Sequence, residues 1–405
     1  MARWVVPARV WVVSVGAVAC SGGSGHGVGA TGDGGVSPLE GGFDGAGGDD
    51  ADEADEFSVD DRGDVTLPGS PQGMDVDQKT AHAYVAWTSA IGAGVSVIDM
   101  TTGQITGNVA LPADGGSGAP LDVGVDPTNG AVYVSTPSGL AVLDEASAAF
   151  TGSVATTAPP VALAVDASLN RVYAYDEGTS GTVDVVDGAT NAVVTTIPTP
   201  GFGFPQRSLV HGFLAVSSFT HHVWAVGTSS SGSPTAGVTE IDGTTNQVVG
   251  TKTFPGTPVG AGIDLANDDV FVATVDANGV PSVNETKGPQ DVLVVGCSDG
   301  YLQAQVLGGG YTFLFSQPGL VGCADAGGVT GSVIEACGYD GPEAPACSDP
   351  LPLPFLAAPQ VVTRITSYFL PNDVVSLLVE RGEVSAGIAT TQPALRWLTV
   401  QTPDQ

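Results

Sequence analysis

Positively charged residues are scarce in this sequence. Of its 405 residues only 11 are Lys or Arg, against 43 Asp or Glu, so the formal net charge at pH 7 is −32. Nucleic acid and anionic membrane surfaces would be repelled by such a chain, so nucleic-acid binding is not expected. Charged residues make up only 13% of the chain, whereas Gly (58) and Pro (28) are abundant. This composition favours many short strands joined by turns over helices.

The apolar run near the N-terminus is too short to span a membrane. Val10–Ala19 follows Arg3 and Arg9, and a spanning helix needs roughly twice its ten or so residues. The pattern is that of a secretory signal peptide, assigned to residues 1–19. Ala17-Val18-Ala19-Cys20 resembles a bacterial lipobox, with Ala where Leu is usual. A lipidated Cys20 is expected, with ordinary cleavage after the A-x-A signature and plain secretion as the alternative.

Cysteine parity supports the lipid anchor. The chain has five cysteines, of which Cys20 is the first. If Cys20 carries lipid, an even set remains to form disulfides in an oxidising compartment: Cys297, Cys323, Cys337 and Cys347. The residue after Cys20 is Ser21, whereas Gram-negative lipoproteins retained in the inner membrane favour Asp at this position. The expected location is therefore the cell envelope, as an outer-membrane lipoprotein facing the periplasm or the exterior.

Residues 20–64 are expected to be a disordered tether behind the lipidated Cys. The segment is rich in Gly and Ser, then acidic. It has too few large apolar side chains to offset the entropy of ordering, and its clustered charge extends it. The stretch Asp49–Glu56 offers carboxylates to Ca²⁺, but it lacks the glycine and the ligand order of an EF-hand loop.

From residue 65 onward the sequence repeats a two-part unit. The first part is a strand that carries an aromatic residue after a turn, and the aromatics lie 40 to 51 residues apart: Tyr84, Tyr133, Tyr173, Trp224 and Phe271. The second part is a strand that ends in Asp, followed by a turn and a Val/Thr strand, with the aspartates at Asp99, Asp144, Asp187 and Asp242. We expect these aspartates to shape Asx-type turns and Tyr84, Tyr133 and Tyr173 to pack between neighbouring sheets.

The stretches VYVS, VYAY, DGATNAVVTTI and DGTTNQVV resemble the YVTN-type β-propeller repeat of bacterial surface-layer-like and quinoprotein-like proteins. The resemblance covers roughly residues 65–283. It implies an architecture and no single function, because that family includes adhesins, anchored binding proteins and redox subunits.

The predicted fold is all-β: a β-propeller of about seven blades, each of four antiparallel strands, over residues 65–405. At about 48 residues per unit the length fits seven blades, since radially stacked sheets of this size bury each other's faces. The segment GDVTLPGSP (63–71) matches the last strand and loop of a unit. We therefore expect it to join the final blade and close the ring, because an open ring would expose sheet edges.

The region at about 297–350 is irregular and carries the four later cysteines. Their spacings match no C-x-x-C metal site, and Gly- and Pro-rich loops separate them. Disulfides within an inserted loop are expected. Three connectivities are open, and Cys297–Cys323 with Cys337–Cys347 is favoured by proximity in sequence.

Two sets of residues are candidates for a site. His211, His221 and His222 form the only histidine cluster, although adjacent residues on a strand point to opposite faces, so only one of the pair can join His211. The second set is Asp126, Asp166 and Asp264, which occupy matching positions in three units. These aspartates either form turns or build a ring of carboxylates around the central axis.

No catalytic residue is assigned, because no G-x-S-x-G, H-E-x-x-H, phosphate-loop, dinucleotide or C-x-x-C-H motif is present. The leading hypothesis is a monomeric, non-enzymatic envelope lipoprotein without cofactor, whose propeller binds a protein, glycan or cell-wall partner. It would touch the membrane only through its lipid. The alternative is an exported hydrolase, lactonase or lyase with Ca²⁺ or another divalent metal in the central channel. A self-assembling surface coat is a third option.

Overall fold

The computed structural model describes residues 58–112, 120–176, 181–199, 202–203, 213–229, 235–264, 269–276, 281–285, 293–294, 301–307, 311–316, 333–338, 346–347, 351–352, 360–370, 374–385, 388–389 and 394–401. The predicted signal peptide, Cys20 and most of the predicted tether lie outside these residues. The described part contains strands and turns, and no helix in it is long and apolar enough to cross a bilayer.

The strands follow the chain in this order: β1 (Ser58–Val65), β2 (Ser70–Asp77), β3 (His82–Ser89), β4 (Gly92–Asp99), β5 (Gln104–Ala110), β6 (Val123–Asp126), β7 (Ala131–Thr136), β8 (Gly139–Asp144), β9 (Ala149–Val154), β10 (Pro160–Asp166), β11 (Arg171–Asp176), β12 (Thr182–Asp187), β13 (Ala192–Pro198), β14 (Phe202–Gly203), β15 (Phe213–Val216), β16 (His222–Ser229), β17 (Thr235–Asp242), β18 (Gln247–Pro255), β19 (Thr257–Asp264), β20 (Asp269–Val275), β21 (Pro281–Glu285), β22 (Leu293–Val294), β23 (Tyr301–Leu307), β24 (Tyr311–Ser316), β25 (Val333–Gly338), β26 (Ala346–Cys347), β27 (Leu351–Pro352), β28 (Gln360–Leu370), β29 (Val374–Ser385), β30 (Ile388–Ala389) and β31 (Ala394–Gln401).

In the described residues these strands form seven antiparallel sheets of four or five strands. In chain order, sheets 1 to 7 consist of β2–β5, β6–β9, β10–β13, β14–β18, β19–β22, β23–β27, and β28–β31 with β1. The innermost strand of each sheet contacts that of the next, in the order β2, β6, β10, β15, β19, β23 and β28, and β28 contacts β2 again. The sheets therefore form a closed ring, which confirms the predicted propeller of about seven blades.

The N-terminal strand closes the ring, as expected from the sequence. β1 is the outermost strand of sheet 7 and pairs antiparallel with β31, from Ser58 opposite Gln401 to Val65 opposite Leu395. The strand begins before the expected segment, so residues 58–64, which the sequence assigned to the tether, belong to the propeller. Strand pairing removes the free edge that β31 would otherwise expose.

Apolar side chains fill the spaces between neighbouring sheets. Between sheets 1 and 2, Tyr84 packs with Val125 and Leu143, and between sheets 2 and 3, Tyr133 packs with Val172. Tyr84, Tyr133 and Tyr173 are at most 1% exposed, which confirms their predicted packing, and Trp224 is buried to the same degree. The Phe271 side chain lies outside the described residues. Buried aromatic and β-branched side chains fill the contacts between neighbouring sheets. The apolar cores between the sheets therefore hold the blades together.

The four repeated aspartates shape turns, as predicted. Asp187 Oδ1 accepts hydrogen bonds from the backbone nitrogens of Ala189 and Thr190, at 3.0 and 2.9 Å. Asn191 then adopts a left-handed backbone with φ of 52°, a conformation that Asn tolerates well. Oδ1 of the other three aspartates likewise accepts from nearby Thr or Ser residues: Asp99, Asp144 and Asp242.

Candidate functional site

The two faces of the ring differ in how the chain turns on them. Turns from the first to the second strand and from the third to the fourth strand of a sheet lie on one face, which we call the regular face. In sheets 1 to 3 these turns have four residues each: 78–81, 100–103, 127–130, 145–148, 167–170 and 188–191. The remaining connections begin and end on the opposite, variable face, and their lengths differ widely, from residues 90–91 to residues 317–332.

On the regular face, a backbone hydrogen bond ties the two turns of one sheet together. The last residue of the first turn is left-handed in sheets 1 to 4, with φ between 50° and 65° for the side-chain-bearing residues and 70° for the glycine: Ala81, Gly130, Asn170 and His221. Each carbonyl oxygen accepts from the backbone nitrogen that opens the second turn, for example Glu145 to Gly130 and Gly188 to Asn170, both at 2.9 Å. We call this recurrent position the left-handed position.

The predicted candidates Asp126 and Asp166 lie at the ends of innermost strands and are fully buried. Oδ1 of each accepts from the backbone two residues ahead, Thr128 at 2.9 Å and Ser168 at 3.0 Å. Asp77 is the sheet 1 equivalent, with Lys79 N donating at 2.6 Å. Sequence reasoning missed Asp77, although GMDVD places it at the same point of the repeated phrase as the other two.

The second carboxylate oxygen of these aspartates contacts the next sheet. Asp166 Oδ2 lies 2.7 Å from His221 Nδ1. Asp126 Oδ2 accepts from the Asn170 side chain at 2.9 Å when that amide turns its nitrogen to the carboxylate. Each carboxylate therefore bonds its own neighbour in the ring, and the pair does not converge on one axial point. The side chain of Asp264 lies outside the described residues.

Asp166, Ser168 and His221 have the residue types of a hydrolase triad but not its geometry. Ser168 Oγ and Asp166 Oδ2 both approach Nδ1 of His221, at 3.3 and 2.7 Å. A triad uses the two ring nitrogens separately, so that one holds the carboxylate while the other takes the serine proton. Ser168 Oγ also lies 2.6 Å from Asp166 Oδ1. The three side chains therefore link sheet 3 to sheet 4 and form no proton relay.

The histidine pair splits between two interfaces. His222 Nδ1 lies 2.9 Å from Glu240 Oε1, and its ring meets Trp224 edge-on at 5.8 Å. Trp224 packs against sheet 5, whereas His221 faces sheet 3. Only His222 belongs to β16, whereas His221 lies in the preceding turn with φ of 65°. The expected alternation along a strand therefore does not explain the split. His211 lies outside the described residues.

A cleft of about 520 Å³ opens between sheets 1 and 2 on the regular face, with His82, Tyr84 and Glu145 among its lining residues. Thr80 Oγ1 donates to Glu145 Oε1 at 2.8 Å, and His82 Nδ1 lies 3.6 Å from the same oxygen. Burial opposes ionisation of Glu145, but hydrogen bonds from Tyr84 and Thr80 outweigh it and hold the pKa of this carboxyl below its usual value. Burial, followed by Glu145, raises the pKa of Tyr84.

The repeat did not reveal this cleft, because Glu145 of sheet 2 stands where sheets 3 and 4 have Gly188 and Gly243 and sheet 1 has Met100. A departure from the repeat was therefore the only sequence signal. Among the described residues no three His, Cys, Asp or Glu side chains are arranged to hold a metal ion.

The cysteines of the irregular region are described only in part. Cys337 in β25 and Cys347 in β26 are directly opposite each other in antiparallel register. Cys297 and Cys323 lie outside the described residues.

Comparisons with known proteins show the fold and no family. No protein-family model and no curated protein matches this sequence. Among solved structures, "Crystal structure of RRP9 WD40 repeats" is similar, with a TM-score of 0.58, 11% identity and coverage of 85% of this chain and 97% of that chain. "Crystal Structure of Mitotic Checkpoint Complex" matches with a TM-score of 0.57, 12% identity and coverage of 93% and 100%. "Kuenenia stuttgartiensis Hydrazine Synthase" matches with a TM-score of 0.47, 15% identity and coverage of 68% and 78%. The first two of these likenesses agree with the β-propeller fold of this chain.

Proposed function

We propose that this chain is an exported, lipid-anchored binding module whose propeller engages a protein, glycan or cell-wall partner through its variable face. The observation that carries this proposal is the difference between the two faces. On the regular face, the aspartates and left-handed residues bond turn to turn and sheet to sheet. The variable face receives connections of unequal length, and binding residues are commonly found on such loops of a rigid scaffold.

The structural neighbours support this proposal in a general way. One is titled as a mitotic checkpoint complex. At 12% identity the likeness bears on the scaffold alone. The relationship to YVTN-type repeats rests on the repeated residues of 65–283, and it fits an envelope location.

The binding face is tested by photo-crosslinking on whole cells. Ile91 lies in the β3–β4 connection of the variable face and is 98% exposed, whereas Val194 on β13 is 49% exposed. A photo-reactive amino acid at position 91 should give a discrete higher-mass adduct, and the same group at position 194 should give none. Equal adducts at both positions, or none at a set of further variable-face positions, would contradict the proposal.

The anchor is tested on the mature N-terminus. Mass spectrometry should find Cys20 as the first residue with a diacylglyceryl group, and Cys20→Ser should release the protein into the soluble envelope fraction. An unmodified Cys20, or a mature chain that starts elsewhere, would defeat the lipoprotein assignment. Light scattering of the released form should give the mass of a monomer.

An envelope location also favours a disulfide between Cys337 and Cys347. Residues directly opposite on antiparallel strands have Cα atoms about 4.5 to 5.5 Å apart, within the range that a disulfide spans. Peptide mapping without reductant should recover these two cysteines in one linked peptide, and Cys297 with Cys323 in another. A crossed pairing would contradict the assignment.

A further inference from the structure

The interface between sheets 1 and 2 lacks a side-chain hydrogen-bond donor that the next two interfaces of the regular face possess. With its amide nitrogen turned to the carboxylate, Asn170 donates to Asp126 of the preceding sheet, and His221 Nδ1 lies 2.7 Å from Asp166 in the same way. In sheet 2 the left-handed position is Gly130, which has no side chain to offer to Asp77 of sheet 1.

Asp77 is left with half of its carboxylate unpaired. The residue is 1% exposed, and Oδ1 accepts from the backbone nitrogens of Lys79 and Thr80. Oδ2 is buried and has no hydrogen-bond partner among the described residues. The carboxyl of Glu145 interacts with the Asp77 side chain, so two carboxyl groups meet where the next two interfaces place a donor and an acceptor. Two neighbouring ionised carboxylates repel each other, and the cost is higher here because Asp77 is buried and Glu145 is only 17% exposed.

The surroundings suit a small hard cation. Glu145 is bonded by the hydroxyls of Thr80 and Tyr84, so the ligand atoms at hand are carboxylate and hydroxyl oxygens, which Ca²⁺ and Mg²⁺ prefer. The cleft beside Glu145 gives room for coordinating water. The net charge of −32 raises the local concentration of cations.

We propose that a divalent cation of the Ca²⁺/Mg²⁺ class binds between Asp77 and Glu145 and replaces the side-chain donor that Asn170 and His221 supply at the next two interfaces. The site contains two carboxylates completed by neutral oxygens. It lies between sheets 1 and 2 on the regular face.

The experiment compares Ca²⁺ binding and thermal unfolding of the full chain with those of Asp77→Asn. The Asn variant keeps an Oδ1 for the turn and turns an NH₂ donor toward Glu145. In EDTA, Asp77→Asn should unfold at a higher temperature than the parent chain. Addition of CaCl₂ at constant ionic strength should raise the midpoint of the parent by several degrees and leave the variant unchanged. Calorimetric titration should show one binding site fewer in Asp77→Asn, since the acidic segment is common to both proteins.

Gly130→Asn provides an independent test. A Cβ at position 130 would lie 3.9 Å from the nearest Glu145 atoms, so the side chain fits, and Asn accepts the left-handed backbone. This variant should also unfold at a higher temperature in EDTA and lose its response to CaCl₂.

The matched control is Asp126→Asn at the next interface, where Asn170 already supplies the donor; this variant should keep the full Ca²⁺ response. The proposal is overturned if the parent responds to CaCl₂ and MgCl₂ no more than Asp77→Asn and Gly130→Asn do. It is also overturned if NaCl protects equally, because the effect would then be screening. A parent chain stabilised only by lower pH would show that a shared proton, and no metal ion, holds the two carboxyls together.

Discussion

Removal of the Arg396 charge should loosen the strand that closes the propeller. Arg396 on β31 donates from Nε to Asp61 Oδ1 at 2.7 Å and from Nη1 to Asp64 Oδ1 at 2.9 Å, and its Nη2 contacts Asp61 Oδ2. Asp61 and Asp64 belong to β1, so a single guanidinium clamps the closing strand to its partner. The two carboxylates, Asp61 first, raise the pKa of Arg396, and the arginine stays charged at every accessible pH.

The expected magnitude follows from geometry and exposure. Hydrogen bonds to charged groups contribute roughly 1.5 to 3 kcal/mol when buried, whereas fully exposed ion pairs contribute about 0.2 to 1 kcal/mol. The Arg396 side chain is 18% exposed, that of Asp61 32% and that of Asp64 49%. The contribution of the bidentate interaction with Asp61 should therefore lie between these two values. We expect Arg396→Met to lower the free energy of unfolding by about 1 to 2 kcal/mol. Methionine keeps most of the apolar stem, so the loss measures the charge.

Hydrogen–deuterium exchange measures this loss where it occurs. A change of 1.4 kcal/mol is about tenfold in an equilibrium constant, so amides of β1 should exchange about tenfold faster in Arg396→Met. Amides of β7 and β11, in sheets away from the closure, should keep their rates. The difference should shrink at high salt, because partly exposed charges are screened.

A double-mutant cycle with Asp61→Asn isolates the pair from other effects of either change. We expect a coupling free energy of about 1 kcal/mol or more, taken from the β1 exchange rates. A coupling below about 0.3 kcal/mol, or faster exchange spread evenly over all sheets, would refute the conclusion that this arginine fastens the closing strand.

Three further predictions concern the turns. Gly103→Ala should lower the free energy of unfolding by about 2 kcal/mol or more, because φ is 69° and a Cβ there would overlap the ring of Trp397; thermal unfolding followed by tryptophan fluorescence measures it, and an unchanged midpoint would be contrary evidence. His221→Ala should cost about 1 to 3 kcal/mol by leaving the buried Oδ2 of Asp166 without its partner, whereas His221→Asn should recover most of the loss; equal losses in urea unfolding would argue against a donor role. The Thr244 hydroxyl, ahead of other hydrogen bonds, lowers the pKa of Asp242 to about 2. Its contribution to stability is therefore complete above the unfolded value of about 4 and is lost as pH falls through about 2. Asp242→Asn should differ from the parent chain at pH 6 and match it near pH 2, and a constant difference across this range would contradict the sign.

The fold was predictable because the repeat expresses local chemistry. Tyr84, Tyr133 and Tyr173 recur at one point of the unit, and each packs between sheets. Asp187 shapes its turn through its own neighbours in sequence, so the turn is visible in the sequence alone. The pairing of an N-terminal strand with the last blade was predictable, because an open ring would leave a strand edge unpaired. The start of β1 was not, since residues 58–62 read as acidic linker until Arg396 is placed beside them.

The candidate site was less predictable, because its contacts join residues far apart in sequence. Asp166 and His221 were both identified, but as members of separate sets, and no local pattern links residues 55 positions apart. Glu145 and Asp77 were missed for a related reason. Each looks like an ordinary turn residue in its own unit, and their interaction exists only where two units meet.

The departures from the repeat are of two physical kinds, and they call for different explanations. At the left-handed position, Asn170 and His221 differ in chemistry but meet the same need, a donor for the preceding aspartate. The histidine that stands out in the sequence is thus explained by the interface, and its rarity alone is no evidence of catalysis. Gly130 differs in kind, because it leaves the need at Asp77 unmet. A search for function in a repeat protein should therefore ask whether the surrounding structure compensates each irregular residue, and should turn first to the positions where it does not.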